Sequence, residues 1–179
     1  MAQVLAPGLP TTPNTGITPE PIRAGIELQI NGKSYRHTGD AQMPLLWYLR
    51  DVLHLDGTKY SGELGEGGFD LVLVNGKARS AITLPMHGLA DKHVITVEGL
   101  ANADGSLHPL QQAFIDEDAI GCGYCTPGWL IASLDLLQRQ RNPSDGDIDT
   151  MPNLCRCGCQ SRVRRAIKRA AKVMNGAQA

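Results

Sequence analysis

The chain has 179 residues, which is enough for one domain or two small ones. Hydrophobic residues make up 42% of it and charged residues 20%, and the net charge is −1. The chain therefore lacks the surplus of basic residues that would indicate nucleic-acid binding. The longest apolar runs, such as Leu71–Val74, are far too short to cross a bilayer. The sequence therefore predicts no membrane insertion by this chain.

The first 24 residues contain five prolines and no charged segment followed by an apolar one. That pattern predicts a flexible arm over residues 1–24 rather than a secretory signal peptide. A missing signal peptide favours the cytoplasm, but a signal on a partner could carry a folded complex to the periplasm. The compartment stays open at this point.

Residues 26–97 carry signals for strands, turns and one short helix. Apolar and polar residues alternate over 26–36 around Asn31-Gly32, which predicts a β-hairpin. Apolar residues at helical spacing behind Pro44 predict a helix over 44–54. Residues 57–68, named here the glycine-rich loop, hold five glycines. The other predicted features are a strand over Leu71–Val74, a second hairpin turn at Asn75-Gly76 and a strand over 93–97.

After Gly105 the spacing of apolar residues becomes helical. His108-Pro109 predicts the start of one helix, and Thr126-Pro127 predicts the N-cap and the first turn of a second. The turn-forming residues from Asn142 to Asp149 predict a break. Residues 162–174 place apolar side chains on one face and basic ones on the other, which predicts a final helix.

All five cysteines lie between residues 122 and 159. Cys122 and Cys125 precede the predicted helix at Thr126. After 29 intervening residues, Cys155 and Cys157 precede the final helix. Helix N-termini carry partial positive charge and free N–H groups, which stabilise thiolates. Because two such turns can meet at one end of a helical bundle, these four cysteines are the predicted ligand set.

The spacing alone leaves two kinds of metal site open. Two pairs of cysteines suit a structural zinc ion about as well as a [2Fe–2S] cluster, although the Cys-x-Cys spacing of the second pair argues modestly against zinc. A disulfide network is disfavoured because such close spacings strain the bond geometry. Cys159 is interpreted as a bystander thiol rather than an alternative ligand.

Two strings around the cysteines resemble the iron–sulfur subunits of the molybdenum hydroxylase family, which includes xanthine dehydrogenase, aldehyde oxidoreductases and isoquinoline 1-oxidoreductase. They are Gly121-Cys-Gly-Tyr-Cys-Thr-Pro-Gly128 and Asn153-Leu-Cys-Arg-Cys-Gly158. The resemblance covers nearly all of residues 26–172, and the small separate chain is most similar to bacterial isoquinoline- and aldehyde-oxidising enzymes. Four segments that precede these strings in the chain are also similar to the family and occur in the family's order: Leu45–Asp51, Gly57–Tyr60, Ile95–Leu100 and His108–Phe114.

The resemblance implies an α+β fold in two parts. A ferredoxin-like (β-grasp) domain is expected over residues 25–103, followed by a helical [2Fe–2S]-binding domain over residues 104–179. The family's ligands in the helical domain match Cys122, Cys125, Cys155 and Cys157, so one [2Fe–2S] cluster is expected there.

Family members carry a second cluster in the ferredoxin-like domain, and this sequence lacks its ligands. Alignment on Gly57–Tyr60 puts the four family cysteines at Gly62, Gly67, Asp70 and Ala81. The fold is therefore expected to persist without that cluster, which leaves one cluster on this chain.

The function implied by the resemblance is electron transfer. A large partner subunit would bind molybdopterin and oxidise an aldehyde or N-heterocycle, and the cluster would pass the electrons to a cytochrome c in preference to a flavin subunit. Gly121 stands where the family usually has a glutamine near the pterin, so that side-chain contact is not expected here. The contrasting hypothesis is a non-redox scaffold, zinc-stapled or degenerate, that only positions a catalytic partner.

The chain itself is expected to carry no substrate chemistry, because it shows no Ser–His–Asp set, phosphate loop or paired-carboxylate site. Asp116–Asp118 is interpreted as a solvated face, Trp129 as core or interface, and Arg156 as a donor to cluster sulfur or to a neighbouring subunit. The histidines lack metal-ligand spacing and are assigned structural, surface or core roles: His37, His54, His87, His93 and His108.

Overall fold

The computed structural model describes residues 25–176, so the predicted arm over residues 1–24 lies outside the described residues. The strands are β1 (Ile26–Ile30), β2 (Lys33–His37), β3 (Leu71–Val74), β4 (Lys77–Ser80) and β5 (His93–Ile95). The α-helices are α1 (Leu45–Trp47), α2 (Pro109–Asp116), α3 (Thr126–Arg139), α4 (Asp145–Asp149) and α5 (Gln160–Met174). The protein is α+β, and within residues 25–176 no helix is long and apolar enough to cross a membrane.

One mixed sheet holds all five strands in the order β2-β1-β5-β3-β4. β1 runs parallel to β5, and the other neighbouring strands are antiparallel. Both predicted hairpins are confirmed, since the turns Asn31-Gly32 and Asn75-Gly76 join β1 to β2 and β3 to β4. Asn31 and Asn75 both have positive φ, the backbone conformation that tight hairpin turns require and that asparagine tolerates.

The helix predicted over residues 44–54 is present but changes its pitch. Pro44 caps α1, and residues Tyr48–Val52 then form a π-helical turn in which the N–H of Leu53 donates to the carbonyl of Tyr48 at 3.1 Å. The wider turn keeps Leu45, Leu46 and Leu49 buried under the sheet. The apolar spacing therefore predicted the burial correctly but not the pitch.

Two hydrophobic clusters meet across β3. Val72 packs with residues of β1, α1 and β5, while Leu71 and Leu73 on the opposite face pack with the helices that follow the sheet. Alternate residues of a strand point to opposite faces, so a strand covered on both sides is apolar throughout. The run Leu71–Val74 fits that position, and through β3 the helices sit directly on the sheet.

Three predicted features of secondary structure are wrong in detail. Thr126 is the first residue of α3 rather than its cap, because Cys125 occupies the cap position in a helical conformation. The strand predicted over 93–97 ends at Ile95, where residues Val97–Gly99 form a 3₁₀ turn. The break predicted from Asn142 to Asp149 contains the short helix α4, which Ser144 caps by accepting the N–H of Asp147.

The acidic run Asp116–Asp118 is not a plain solvated face. Asp116 and Glu117 pair with Arg169 and Arg165 of α5, and Asp118 pairs with Arg162 at 2.5 Å. These ion pairs tie α2 to the basic side of α5, whose apolar side is buried against the helical cluster. The run is exposed at Asp116 and Asp118, as expected, but its ion pairs were not predicted, because the partners lie more than 40 positions away in the sequence.

Candidate metal centre

The four predicted ligands lie in two turns that precede helices. The first cysteine turn, residues 121–125, leads into α3, and the second cysteine turn, residues 153–159, leads into α5. Gly123 and Gly158 have φ of +85° and +73°, values that side chains disfavour, and so permit both turns to reverse sharply. The N–H of Gly158 donates to the carbonyl of Cys155 at 3.3 Å, which closes the second turn.

The structure brings these four thiols together as two pairs, each with one member from each turn. Cys122 lies beside Cys157, and Cys125 beside Cys155, close enough for the two thiols of each pair to shift each other's pKa. The first pair is exposed, whereas Cys125 is half-buried and Cys155 buried. The predicted meeting of the two turns is thus present, and the pairing across them is a feature that spacing did not predict.

Backbone N–H groups point at the sulfurs of the exposed pair. The N–H of Tyr124 donates to the sulfur of Cys122 and, with the thiol of Cys157, lowers the pKa of Cys122. For Cys157 the N–H of Cys122 acts in the same direction, but the Cys122 thiol, some desolvation and the neighbouring charges of Cys122 and Cys155 outweigh it and raise the pKa of Cys157. Within this pair Cys122 is therefore the thiol that ionises more readily.

In the inner pair, Cys125 and Cys155, the two pKa values again shift in opposite directions. Burial raises the pKa of Cys125 to about 12, and hydrogen bonding to Cys155 acts in the same direction. Burial also raises the pKa of Cys155, but hydrogen bonds from the N–H of Cys159 and from the Cys125 thiol outweigh it, so that the pKa is lowered. A metal that binds all four thiolates must displace the held protons, so its binding is coupled to pH.

Gly121 lets the two cysteine turns approach each other. A Cβ at this position would lie 2.7 Å from the Cβ of Cys157 and 3.1 Å from the sulfurs of Cys157 and Cys159. Atoms at such distances must move apart. The glycine that replaces the family's glutamine therefore has a packing role in this chain, which the sequence did not reveal.

Cys159 lies beside the site but belongs to neither pair. Its side chain is 1% exposed, its N–H donates to the sulfur of Cys155 at 3.4 Å, and its sulfur accepts from Nη2 of Arg162 at 3.2 Å. The arginine that reaches a sulfur is thus Arg162 on α5, while Arg156 is exposed. A cationic residue one helical turn after a cysteine was the available sequence signal for this contact.

The glycine-rich loop packs against both cysteine turns. The carbonyl of Gly67 accepts the N–H of Leu154 at 3.2 Å, and the carbonyl of Gly68 accepts Nδ2 of Asn153 at 2.6 Å. Tyr124 donates its hydroxyl to the carbonyl of Tyr60 at 2.9 Å. Sequence reasoning missed Asn153 as a contact residue, because its partner lies 85 positions away.

The donor set fits a two-iron cluster. Each iron of a [2Fe–2S] cluster takes two thiolates, and the sulfurs accept N–H hydrogen bonds, both of which two thiol pairs under backbone N–H groups can provide. Among residues 25–176, no group of three or more His, Cys, Asp or Glu side chains is arranged as a metal site. The thiol pairs therefore supply donors for a cluster without selecting iron over zinc.

Other candidate residues take structural positions. Trp129 is buried in the helical cluster, as predicted. His108 caps α2 by accepting the N–H of Leu110 at 3.1 Å, and His37 is buried against Tyr48. His87 and His93 are exposed. The structural assignment of His108 is thereby confirmed.

Fold and site together define an α+β protein in which four cysteine thiols meet at the N-termini of two helices. Residues 96–168 match the family described as "[2Fe-2S] binding domain". A nicotinate dehydrogenase subunit of Pseudomonas putida is 42% identical over 153 residues, which is 84% of this chain and 97% of that protein. The alpha subunit of isoquinoline 1-oxidoreductase from Brevundimonas diminuta is 41% identical over 82% of this chain and 97% of that protein.

A solved structure shows the same fold. The aldehyde oxidoreductase of Desulfovibrio desulfuricans superposes with a TM-score of 0.78 at 32% identity, over 86% of this chain but only 17% of that much longer one. The chain belongs to the [2Fe–2S]-binding small subunits of the molybdenum hydroxylase family. It carries a [2Fe–2S] cofactor and transfers electrons in an oxidoreductase complex whose large subunit binds molybdopterin.

Proposed function

We propose that Cys122, Cys125, Cys155 and Cys157 hold a single [2Fe–2S] cluster. The observation that carries the proposal is the pairing of these four thiols across two turns that lie at helix N-termini. When bound, the cluster accepts and donates one electron at a time, so the two electrons of a substrate oxidation would leave in two steps. The residues of this chain hold the cluster and aim N–H groups at its ligands.

The proposed architecture has a ferredoxin-like domain over residues 25–103 without a cluster, and a helical domain over residues 104–179 with one. The proposal that the first domain lacks a cluster is supported by the residues at the four positions where the family has cysteines. Gly62 and Gly67 have no side chain that could bind iron, and Ala81 is buried and apolar. Asp70 is the single carboxylate among the four, and it is occupied by hydrogen bonds from protein groups.

The large subunit is proposed to cover the exposed pair Cys122 and Cys157. Around this pair the chain exposes apolar side chains at Ile120, Tyr124 and Leu154. Apolar surface clustered around exposed ligands is typical of a surface that a partner covers. Such a contact would shorten the path for electrons from the partner into the cluster.

The proposed substrate class is an aldehyde or an N-heterocycle, oxidised on the large subunit. Similar proteins are named for nicotinate, isoquinoline and aldehyde oxidation, which supports this class. A cytochrome c is proposed as the downstream acceptor in preference to a flavin subunit, on the resemblance to bacterial aldehyde-oxidising assemblies. With one cluster on this chain, that acceptor would have to approach the cluster directly.

Iron and acid-labile sulfide analysis of the purified complex tests the proposal. We expect two irons and two sulfides per copy of this chain, with a visible absorption that dithionite bleaches. Zinc without sulfide would support the scaffold alternative instead, and four irons per copy would contradict the single cluster. No observation on the described residues favours the scaffold alternative.

Two cysteine variants separate ligand from bystander. Cys125→Ser should abolish the cluster, because it removes one thiolate of the inner pair. Cys159→Ser should retain two irons, because a serine hydroxyl can still accept from Arg162, and the backbone N–H that donates to Cys155 is unchanged. Loss of iron in Cys159→Ser with retention in Cys125→Ser would reverse the assignment.

A further inference from the structure

Asp70 is a fully buried carboxylate that protein donors surround. Oδ1 accepts the hydroxyl of Ser61 at 2.6 Å, and Oδ2 accepts the hydroxyl of Ser80 at 2.5 Å and the N–H of Ile82 at 3.1 Å. Its side chain is 0% exposed, and none of the salt bridges of residues 25–176 includes it. A buried carboxylate is tolerated only where such hydrogen bonds replace water, so these bonds are strongly coupled.

These residues, named here the Asp70 network, join the glycine-rich loop to the end of β4. Ser61 lies in the first half of the loop and Asp70 follows it, while Ser80 ends β4 and Ile82 comes just after that strand. The backbone strengthens the closure: the N–H of Gly67 donates to the carbonyl of Ser61 at 3.2 Å, and the N–H of Ala81 donates to the carbonyl of Asp70 at 3.0 Å. The path of the chain between these anchors is therefore fixed.

Gly67 and Gly68 connect the fixed loop to the second cysteine turn through hydrogen bonds. Their carbonyls accept the N–H of Leu154 and the side chain of Asn153, the two residues directly before Cys155. Asn153 is 5% exposed, so its bond to the loop is made away from water. A shift of the loop would consequently move the start of the turn that presents Cys155 and Cys157.

The same stretch of loop also bears on the first cysteine turn. A Cβ at Gly128, three residues after Cys125, would overlap the carbonyl oxygen of Gly68, so α3 and the loop are in direct backbone contact. The ring of Phe69 packs edge-on against Tyr124 with centroids 5.6 Å apart. Gly68 and Phe69 thus contact Gly128 and Tyr124, one residue on each side of the half-buried Cys125.

We propose that Asp70 is a positioning residue for the cysteine centre: through Gly67 and Gly68 it sets the placement of both cysteine turns and thereby the geometry of the bound cluster. The proposal rests on the proposed function, because it assumes that these cysteines hold the cluster. It assigns to a carboxylate network, in a loop without cysteines, an effect on a cluster bound elsewhere in the chain.

The test compares Asp70→Ala and Asp70→Asn in the purified complex. Asp70→Ala removes all three side-chain acceptor contacts, and we expect iron release to a chelator to accelerate by about 10- to 100-fold, the size typical of losing a group that orients a metal ligand. The reduced cluster should also show shifted electron paramagnetic resonance g values. Asp70→Asn should restore near-normal behaviour, because its oxygen still accepts from Ile82 and its amide can donate to the Ser61 hydroxyl.

Ser61→Ala is the second variant, for the case in which Asp70→Ala does not fold. It removes one hydroxyl, so we expect the same g-value shift in smaller measure and a smaller acceleration of iron release. Unchanged g values and wild-type iron release in both variants would overturn the proposal.

Thr96→Val provides the matched control for general loss of stability. Thr96 is 0% exposed, and its side chain bonds to Asn31 and Glu98 rather than to the Asp70 network. Glu98 in turn accepts the N–H of Gly57, which lies at the start of the glycine-rich loop, away from Gly67 and Gly68. It should lower the melting temperature while leaving the g values and iron release of the wild type. If Thr96→Val releases iron as fast as Asp70→Ala does, the effect is general and the positioning role is overturned. Wild-type iron and sulfide, measured in the same preparations, test the proposed function separately from these comparisons.

Discussion

The glycine-rich loop and the cysteine turns are neighbouring segments without regular structure, yet they are held in different ways. The loop is closed by hydrogen bonds among its own residues, β4 and the Asp70 carboxylate. The cysteine turns instead bring four thiols together, and four thiolates would repel one another without a cation between them. The comparison teaches that order in the loop is encoded by protein groups, whereas full order in the cysteine turns depends on what they bind.

Removal of the cluster should produce the largest difference between the two regions, seen in their amide hydrogen exchange. We expect amide hydrogen exchange to accelerate by at least about 100-fold in residues 153–159 and in the first turn of α3, because metal binding energy contributes to local folding. Residues 61–70 and the hairpin of β1 and β2 should keep most of their protection. Exchange mass spectrometry before and after chelation measures both regions in one sample. Equal loss in the loop and the turns would contradict the difference drawn between them.

The contact between the two regions can be broken at Gly128. Alanine there would place a Cβ on the carbonyl oxygen of Gly68, and because that atom belongs to the backbone, relief requires the loop or α3 to shift. We expect Gly128→Ala to lower the free energy of unfolding by about 2 kcal/mol, as overpacking of this kind does. Thermal or denaturant unfolding of the isolated chain and of the complex measures the change.

Gly146→Ala is the matched glycine control. In the short helix α4 the nearest atom to an added Cβ is Oγ of Ser144 at 3.7 Å, which is an ordinary contact. Alanine is favoured over glycine inside helices by up to about 1 kcal/mol, so this variant should gain stability slightly. If both variants changed stability equally, the close approach at Gly128 would have no energetic consequence.

Local signals in the sequence predicted most of the secondary structure. Asn31-Gly32 and Asn75-Gly76 specify tight turns by themselves, and His108-Pro109 specifies a helix start. Helix α4 was missed although Ser144 and Asp147 have the spacing of a capping pair, because the turn-forming residues around them were weighed more heavily. The cap at Thr126 was wrong because a cysteine occupied the cap position.

The candidate site was predictable as a group of cysteines but not in its internal arrangement. Spacing placed both turns at helix starts, yet which thiol faces which depends on how α3 and α5 pack. The contacts of Gly121, Asn153 and Asp70 join positions that are not adjacent in the sequence, so no local pattern encodes them. The roles of the four cysteines as ligands remain a prediction, for which the thiol pairs are the supporting geometry.

The smallest expected effect concerns the start of α2, away from both regions. Burial lowers the pKa of His108 from its ordinary value of 6.5, and Nδ1 must be unprotonated to accept the N–H of Leu110. The unfolded chain therefore takes up a proton more readily than the folded one. The contribution of His108 to stability is present in full above pH 6.5 and is lost as the pH falls through its lowered folded pKa.

Melting temperatures of the wild type and of His108→Asn between about pH 7.5 and about pH 5 test this expectation, since that range spans the ordinary titration of histidine. Asparagine is a good N-cap that does not titrate, so the variant should be about as stable as the wild type at high pH, more stable at low pH, and should decline less steeply across the range. The difference in slope should correspond to less than about 1 kcal/mol, which is typical of a single cap. Subtracting the two curves removes every other titrating group, the cysteine turns included. Parallel curves would contradict the expectation, because they would mean that His108 makes no contribution to the pH dependence of stability.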